Sequence, residues 1–291
     1  MTTTWLITGA TGGLATPMIE QLLQRGDRVA ATIRKPGALD HWKQQYGEQL
    51  WIAELDLTHP EQVKNVVKRA FAEMGTIDVI VNNAAYGLYG AVEEASDEQI
   101  EHLFQTNVFG SLRVARAALP LLRQQGGGQL VQIASMAGHY STPGMGLYCA
   151  SKWAVEAAME ALALEVAPFH IRTMIVDPGG IRTNFITSNA VFGERTELYR
   201  GQEAGQFVSM MKGELPGFDE ETFNRIVIGD PQKMAKQIIQ TVDEDQMPLR
   251  LPLGSDAYEY IRKALVDRLD ALETQKELAF STDADDVIRQ V

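Results

Sequence analysis

Short apolar runs alternate with amphipathic stretches along most of the chain, and this rhythm limits the fold more than any other feature. The runs at residues 5–8, 28–33, 50–55, 77–82, 129–134 and 171–176 have strand length, and helical stretches fall between them at 18–24, 60–74, 97–123 and 149–166. A strand covered on both faces reads as a continuous apolar run, and parallel strands need long crossovers, usually helices. Such crossovers are right-handed. The expected fold is therefore α/β, a single Rossmann-type doubly wound parallel sheet. With 291 residues there is ample length for a buried core, and one domain over 1–291 is the simplest organisation. Gly126-Gly127-Gly128 reads as the loop feeding the fifth strand, and neither a repeat nor a low-complexity tract interrupts the pattern.

Two local features suggest chemistry. The first apolar run leads directly into Gly9-Ala10-Thr11-Gly12-Gly13-Leu14-Ala15 and then a helix. A strand, a glycine-rich turn and a helix start in succession aim free backbone N–H groups at a phosphate. Farther on, Tyr148 and Lys152 stand four residues apart in a helical stretch, so both side chains share one face. A free phenol ionises near pH ~10. A nearby ammonium is expected to draw that value toward the working range and make the pair an acid/base device. Asn83, Ser135 and Pro178 follow other candidate strands, and in an open α/β sheet the strand carboxyl ends gather such residues on one edge.

Taken together, these residues resemble the short-chain dehydrogenase/reductase family, from about residue 4 to about residue 253. Thr8-Gly9 with Gly13 matches the TGxxxGxG turn, with Ala15 where a third glycine is usual. Asp56-Leu57 matches the acidic site that holds the adenine, and Asn82-Asn83-Ala84-Ala85 resembles the NNAG segment with Ala85 in place of glycine. Asn107 matches the family's helix asparagine, Ser135 its serine 13 residues before Tyr148, and Pro178-Gly179 with Thr183 the segment that closes over the nicotinamide. The resemblance implies a dinucleotide cofactor held by Gly9, Thr11, Gly12, Gly13, Leu14, Asp56, Leu57, Asn83, Ala84, Ala85, Tyr148, Lys152, Pro178, Gly179, Ile181 and Thr183. It also implies four catalytic residues. Tyr148 serves as general acid, Ser135 holds the substrate oxygen, Lys152 lowers the phenol pKa and binds the ribose, and Asn107 holds a proton-relaying water.

One position bears on cofactor choice. An NAD enzyme carries an acid at the end of the second strand for the ribose 2′-hydroxyl. Here that strand ends at Ile33 and is followed by Arg34-Lys35, a basic pair suited to a 2′-phosphate, so NADP(H) is expected. No metal is expected, since none of the five histidines has ligand spacing, and His139 and His170 read as loop or surface residues. The single cysteine, Cys149, excludes an intrachain disulfide and reads as a small packing residue. A net charge of −12 argues against nucleic-acid or anionic-membrane partners. No run approaches the ~20 apolar residues of a membrane span. The first strand lies almost at Met1, which leaves no room for a signal peptide, and a cytoplasmic location is expected.

Residues 184–230 lack strand rhythm and carry Phe185, Phe192, Tyr199, Phe207, Met210, Met211, Leu215, Pro216 and Phe218, as expected of a helical substrate lid. Residues 255–278 read as an amphipathic C-terminal helix with Tyr258, Ile261, Leu265, Leu269 and Leu272 on one face, followed by a loose acidic tail at 279–291. The expected protein is an NADP(H)-dependent reductase of ketones, aldehydes or their alcohols, with a small-molecule substrate of hydrophobic bulk. A non-catalytic NADP-binding sensor of the same fold, and epimerisation or dehydration at the same site, are the competing readings. A homodimer held by the helices at 97–123 and 149–166 is expected, with a tetramer as the alternative.

Overall fold

The computed structural model describes residues 2–183, 185, 189–215, 217 and 220–284. Pro216, Phe218 and the tail from residue 285 onward lie outside the described residues. In chain order the first elements are β1 (Thr4–Ile7), α1 (Ala15–Arg25), β2 (Arg28–Ile33), α2 (Asp40–Tyr46), β3 (Leu50–Glu54), α3 (Pro60–Met74), β4 (Val79–Asn82) and β5 (Gly87–Tyr89). There follow α4 (Asp97–Phe104), α5 (Ser111–Gln124), β6 (Gly128–Ile133), α6 (Gly146–Val166), β7 (Ile171–Pro178) and β8 (Ala190–Phe192). The last are α7 (Glu197–Arg200), α8 (Glu203–Met211), α9 (Glu220–Ile226), α10 (Pro231–Asp243), β9 (Arg250–Leu253), α11 (Ser255–Glu273) and α12 (Lys276–Phe280).

Seven parallel strands form one sheet in the order β3-β2-β1-β4-β6-β7-β9. Strand order reverses between β1 and β4, which opens a crevice at their carboxyl ends. The sheet is buried on both faces, as its unbroken apolar runs require. One core cluster joins Trp5 and Ile7 of β1 to Met18, Ile19 and Leu22 of α1 and Ile238 of α10. The opposite cluster joins Leu6 and Ile80 to Val66 and Val67 of α3, Leu122 of α5 and Met159 of α6. Odd and even positions of β1 thus point into different layers, as the two-residue strand period demands.

Local chemistry sets several ends. Gly26 closes α1 in the left-handed region at φ 91°, and its N–H donates to Leu22 and Leu23 carbonyls. Pro60 opens α3 at a position where a missing N–H costs nothing. Asp230 caps α10 by accepting from the amides of Gln232 and Lys233 at 2.8 and 3.2 Å.

Helices at Asp40–Tyr46 and Pro231–Asp243 and the short strand Gly87–Tyr89 have no counterpart in the expected pattern, and four other departures are larger. The helix expected at 97–123 is two helices joined by a π-helical turn, Gln105–Gly110. A π-turn frees a backbone carbonyl. Here Gln105 O accepts from Arg113 at 3.2 Å, while Gly110 lets the turn press against Leu57, whose Cβ would lie 2.7 Å from any Cβ there. Strand β9 is the second departure. It forms an edge of the sheet, is short and contains Pro252, so its sequence carries little strand signal. Third, residues 190–192 do form a strand, paired in parallel with β5. Fourth, the C-terminal helix ends at Glu273 and a second helix begins at Lys276; only Ala257 is buried, and Tyr258, Leu265, Leu269 and Leu272 are exposed.

Candidate active site

A cavity of about 460 Å³ runs along the carboxyl edge of the sheet. The glycine turn after β1 forms its floor on one side of the crevice. Gly9 has φ 66°, and a Cβ there would lie 2.8 Å from the Ala84 backbone, so only glycine suits both the conformation and the close approach. Gly13 lies equally close to Thr183 of the loop after β7. Asn83 ties the two sides together, donating from Nδ2 to Thr8 O and Gly9 O, each at 3.0 Å. The Thr8 hydroxyl in turn accepts from the amides of Asn83 and Ala84 at 3.0 and 3.2 Å. Helix α1 begins at this turn without a side-chain cap. An uncapped helix start beside a glycine turn offers its N–H groups and the positive end of its dipole to an anion.

Of the residues expected to hold a cofactor, Gly9, Thr11, Gly12, Gly13, Leu14, Arg34, Asp56, Leu57, Asn83, Ala84, Ala85, Tyr148, Lys152, Pro178, Gly179, Ile181 and Thr183 all line this cavity. Lys35 does not line it and is exposed. Ala15, in place of the third glycine, is the first residue of α1 and is fully buried in the core. Asp56 accepts from the amide and hydroxyl of Thr58 at 2.8 and 2.7 Å. Partial burial opposes its ionisation, but these bonds prevail and hold the carboxyl below its usual value.

At the other end, Ser135, Tyr148 and Lys152 converge. Ser135 lies two residues past β6, and its hydroxyl accepts from Ala137 N at 3.1 Å. Tyr148 and Lys152 face the same cavity from α6, with Lys152 Nζ 5.7 Å from the phenol ring centre. Lys152 Nζ also donates to Ile133 O at 3.0 Å. Burial pushes the Tyr148 phenol above its ordinary value, opposed in part by a hydrogen bond with the Ser135 side chain. Burial lowers the Lys152 ammonium to about 8, against the pull of Asp177 and Glu156. The helix spacing predicts a lysine that lowers the phenol pKa; in the protein alone, desolvation of the buried ring sets the direction and raises it.

Asn107 sits in the π-turn and does not line the cavity. Its Oδ1 accepts from Tyr86 N at 3.0 Å, and its Nδ2 donates to Tyr86 O and Ser151 Oγ at 2.9 and 3.2 Å. The side chain is therefore committed to fastening the Tyr86 loop to α6. Cys149, next to Tyr148, is buried among Tyr89, Met145 and Val208.

Several residues at the site gave no sequence signal. Tyr86 and His102 line the cavity and bond to each other through the phenol oxygen and Nδ1 at 2.9 Å. Tyr140 stacks on Tyr260 of α11 with ring centres 5.1 Å apart, and both reach the cavity. Asp256 accepts from Gly180 N at 2.8 Å and Ala257 N at 2.9 Å, which ties the start of α11 to the loop after Pro178. These residues meet only through long-range folding, so spacing alone could not have paired them. The apolar wall includes Tyr89, Phe185, Phe207, Met210, Met211 and Phe223. His139 also differs from expectation. Its side chain is only 12% exposed and lies 3.3 Å from Asp177, because the Met136–Gly138 turn folds it inward against β7.

Residues 3–190 match the family model described as short chain dehydrogenase, and the chain belongs to that family. It is 34% identical over 283 residues to "Oxidoreductase BOA17" of Botryotinia fuckeliana, covering 97% of this chain and 100% of that protein. It is also 34% identical over 249 residues to "3-ketodihydrosphingosine reductase" of Bacteroides thetaiotaomicron, covering 86% and 87% of the two chains. A solved short-chain dehydrogenase from Streptomyces avermitilis superposes with a TM-score of 0.86 at 35% identity, covering 97% of this chain and 98% of that one. Among solved structures of like fold, ElxO is seen with NADP bound and a Burkholderia phymatum protein with NAD, at 25% and 20% identity and TM-scores of 0.71 and 0.74. The fold and family are those of an oxidoreductase that uses a nicotinamide cofactor. No helix among the described residues is long and apolar enough to cross a membrane.

Proposed function

We propose that the protein is an NADP(H)-dependent reductase of ketones or aldehydes, or a dehydrogenase of the matching alcohols, acting on substrates with hydrophobic bulk. The convergence of Tyr148, Ser135 and Lys152 at one end of a single cavity, with the uncapped α1 start and Arg34 toward the other, carries this reading. The same cavity takes an extended dinucleotide: phosphates at the glycine turn, adenine by Asp56-Leu57, nicotinamide under the Pro178–Thr183 loop. When bound, the nicotinamide supplies or accepts the hydride.

The residues of this chain do the rest. As negative charge develops on the substrate carbonyl oxygen, only donors aimed at that oxygen lower the barrier. Tyr148 transfers its proton there as general acid, and Ser135 holds the same oxygen by a hydrogen bond. Lys152 supplies the positive charge that favours the phenolate left behind. Asn107 holds the Tyr86 loop and the π-turn in place behind them through its bonds to Tyr86 and Ser151. Arg34 directly follows β2, where an acid would favour NAD, and a guanidinium pairs bidentately with a phosphate.

The apolar wall of Phe185, Phe207, Met210, Met211 and Phe223, which fall in the lid expected over 184–230, favours an aryl, steroid-like or acyl substrate over a small polar one. The relative named "3-ketodihydrosphingosine reductase" is in keeping with that choice. For assembly we propose a homodimer through the 97–123 helical region and α6, where Phe109 of the π-turn and Trp153 and Leu164 of α6 are exposed. The test of function is oxidation of NADPH, and separately NADH, against carbonyl compounds of increasing apolar size. Failure to reduce any carbonyl, in the presence of measurable NADPH binding, would favour the sensor reading.

A further inference from the structure

Behind Lys152, away from the cavity lining, lies a group of buried ionisable side chains that the mechanism above does not use. Glu156 stands one helical turn beyond Lys152 on α6. Asp177 is the penultimate residue of β7, and His139 follows the Met136–Gly138 turn. One ligand-type atom from each of the three lies within 4.8 Å of the others. His139 Nε2 is 3.3 Å from Asp177 Oδ2 and 3.9 Å from Glu156 Oε2. Glu156 and Asp177 are only 5% and 1% exposed, while the His139 side chain reaches solvent at 12%.

Two features of this cluster point to a shared proton. Glu156 Oε1 and Asp177 Oδ1 are both buried without a hydrogen-bond partner. A buried acceptor left unpaired is costly, and two buried carboxylates at close range cannot both ionise. One proton held between the two carboxyl groups removes both penalties, since a protonated carboxyl donates where a carboxylate only accepts. The surrounding charges favour a proton over a metal ion. Arg250 Nε already lies 3.2 Å from Glu156 Oε2, its NH2 group pairs with Glu160 at 2.8 Å, and Lys152 acts on Asp177 from the cavity side. A divalent cation would face both fixed cations, whereas a proton leaves the cluster nearly neutral. Glycine at 138 allows the packing, for a Cβ there would lie 2.8 Å from Glu156 Cγ.

We propose that Glu156 and Asp177 share one stored proton beside Lys152, that His139 exchanges this proton with solvent, and that the cluster resupplies the Tyr148–Lys152 pair during carbonyl reduction. The proposal rests on the reading of that pair as the acid/base device. Each reduction consumes one proton: it leaves the Tyr148 hydroxyl for the substrate oxygen and must be replaced before the next cycle. The Lys152 ammonium gives a proton to the Tyr148 phenolate, and the carboxyl pair then returns one to the Lys152 amine. The emptied pair takes a proton from His139, which takes one from water, so that one proton enters per turnover. Glu156 and Asp177 act through Lys152 and are positioning residues, not catalytic ones.

The electrostatics agree in direction. Burial, then the bond to and charge of Asp177, push the Glu156 carboxyl up to about 8. Burial raises Asp177 to about 6, with Glu156, Arg250 and Lys152 opposing. Burial lowers His139, with Glu156 favouring its cation and Arg250 and Arg268 of α11 opposing it. An unfolded carboxyl loses its proton near pH ~4. The folded pair therefore binds more protons than the unfolded chain from about pH 4 to about 8, and stability should fall as pH rises through that window.

The test uses Glu156→Gln and Asp177→Asn, which keep shape and remove the shared acid. Infrared spectra of the wild-type protein should show a carboxylic-acid C=O band at neutral pH that is lost near about pH 8, and both variants should lack it. The fall in Tm from about pH 5 to about pH 8 should flatten in Glu156→Gln. In reduction at neutral pH, Glu156→Gln should lower kcat about tenfold, less than loss of a direct acid. KM for both substrates should stay within about twofold, with a larger solvent deuterium isotope effect. His139→Gln should slow turnover in dilute buffer and recover on addition of imidazole, a response that a packing role does not produce. An unchanged band and unchanged Tm profile in Glu156→Gln would overturn the stored proton. A lost band with unaltered kcat and isotope effect would overturn its use in turnover. A wild-type protein that reduces no carbonyl would defeat the functional reading instead, and the band and Tm profile would still decide the storage.

Discussion

The two halves of the cavity are built in different ways. The half on the sheet edge is held by backbone and by buried polar bonds: Asn83 clasps the carbonyls of Thr8 and Gly9, and Gly9 leaves no room for a Cβ beside Ala84. The half above it is made of side chains from short, separate helices, with Phe207, Met210 and Phe223 facing the space beside Phe185. The first arrangement tolerates almost no change in geometry, because backbone positions are shared between strands. The second can alter its volume by exchanging side chains. On the function proposed above, this difference would put the chemistry at the sheet edge and the selectivity in the helices.

The sharpest way to break that division is at Tyr148. Tyr148→Phe keeps the buried ring and removes only the hydroxyl, so kcat should fall by about 10²–10⁴ while NADPH affinity stays near wild type. Stopped-flow rates and fluorescence titration of NADPH measure the two quantities. A variant that keeps a large share of wild-type kcat would remove Tyr148 from the chemistry and restore the sensor reading.

At the far end of the same half, Arg34→Ala should reduce kcat/KM for NADPH and leave NADH nearly unchanged. A charge-assisted contact is worth about 1.5–3 kcal/mol, about tenfold to hundredfold. Lys35→Ala should do much less, since Lys35 lies off the cavity wall. Equal loss with both cofactors would show that Arg34 does not read the 2′-phosphate.

In the helical half, Phe207→Ala should raise KM for bulky aryl or acyl carbonyls by about tenfold and spare small ones, in line with the ~1–3 kcal/mol that apolar pockets discriminate. If small and bulky substrates suffer alike, the wall supports the fold and does not select. The smallest expected effect on chemistry concerns assembly. Leu164→Glu on the exposed face of α6 should shift a dimer toward monomer in light scattering with little change in kcat. A stable tetramer at micromolar concentration would place an interface beyond the 97–123 region and α6.

Much of the sheet-edge half was legible before folding. Its residues follow strands directly, and strands buried on both faces announce themselves as apolar runs: β2 and α3 occupy the bounds read from sequence. The edge strand β9, with Pro252 and partial exposure, carries no such run. The break in the 97–123 helix was equally hidden, since its cause is a set of distant partners, Tyr86, Leu57 and Ser151, meeting at one turn.

By itself, then, the order of residues determined the layered parallel sheet, the glycine turn and the spacing that puts Tyr148 and Lys152 on one helix face, because each depends on neighbours within a few residues or on a strand's own burial. Tertiary structure alone decided the rest. It brought Asp256 under the loop after Pro178, set His139 and Asp177 against Glu156, and buried Tyr148 deeply enough that desolvation governs its phenol. Those outcomes depend on which groups share a low-dielectric interior, and residues far apart in the chain become neighbours there only when the whole sheet has formed.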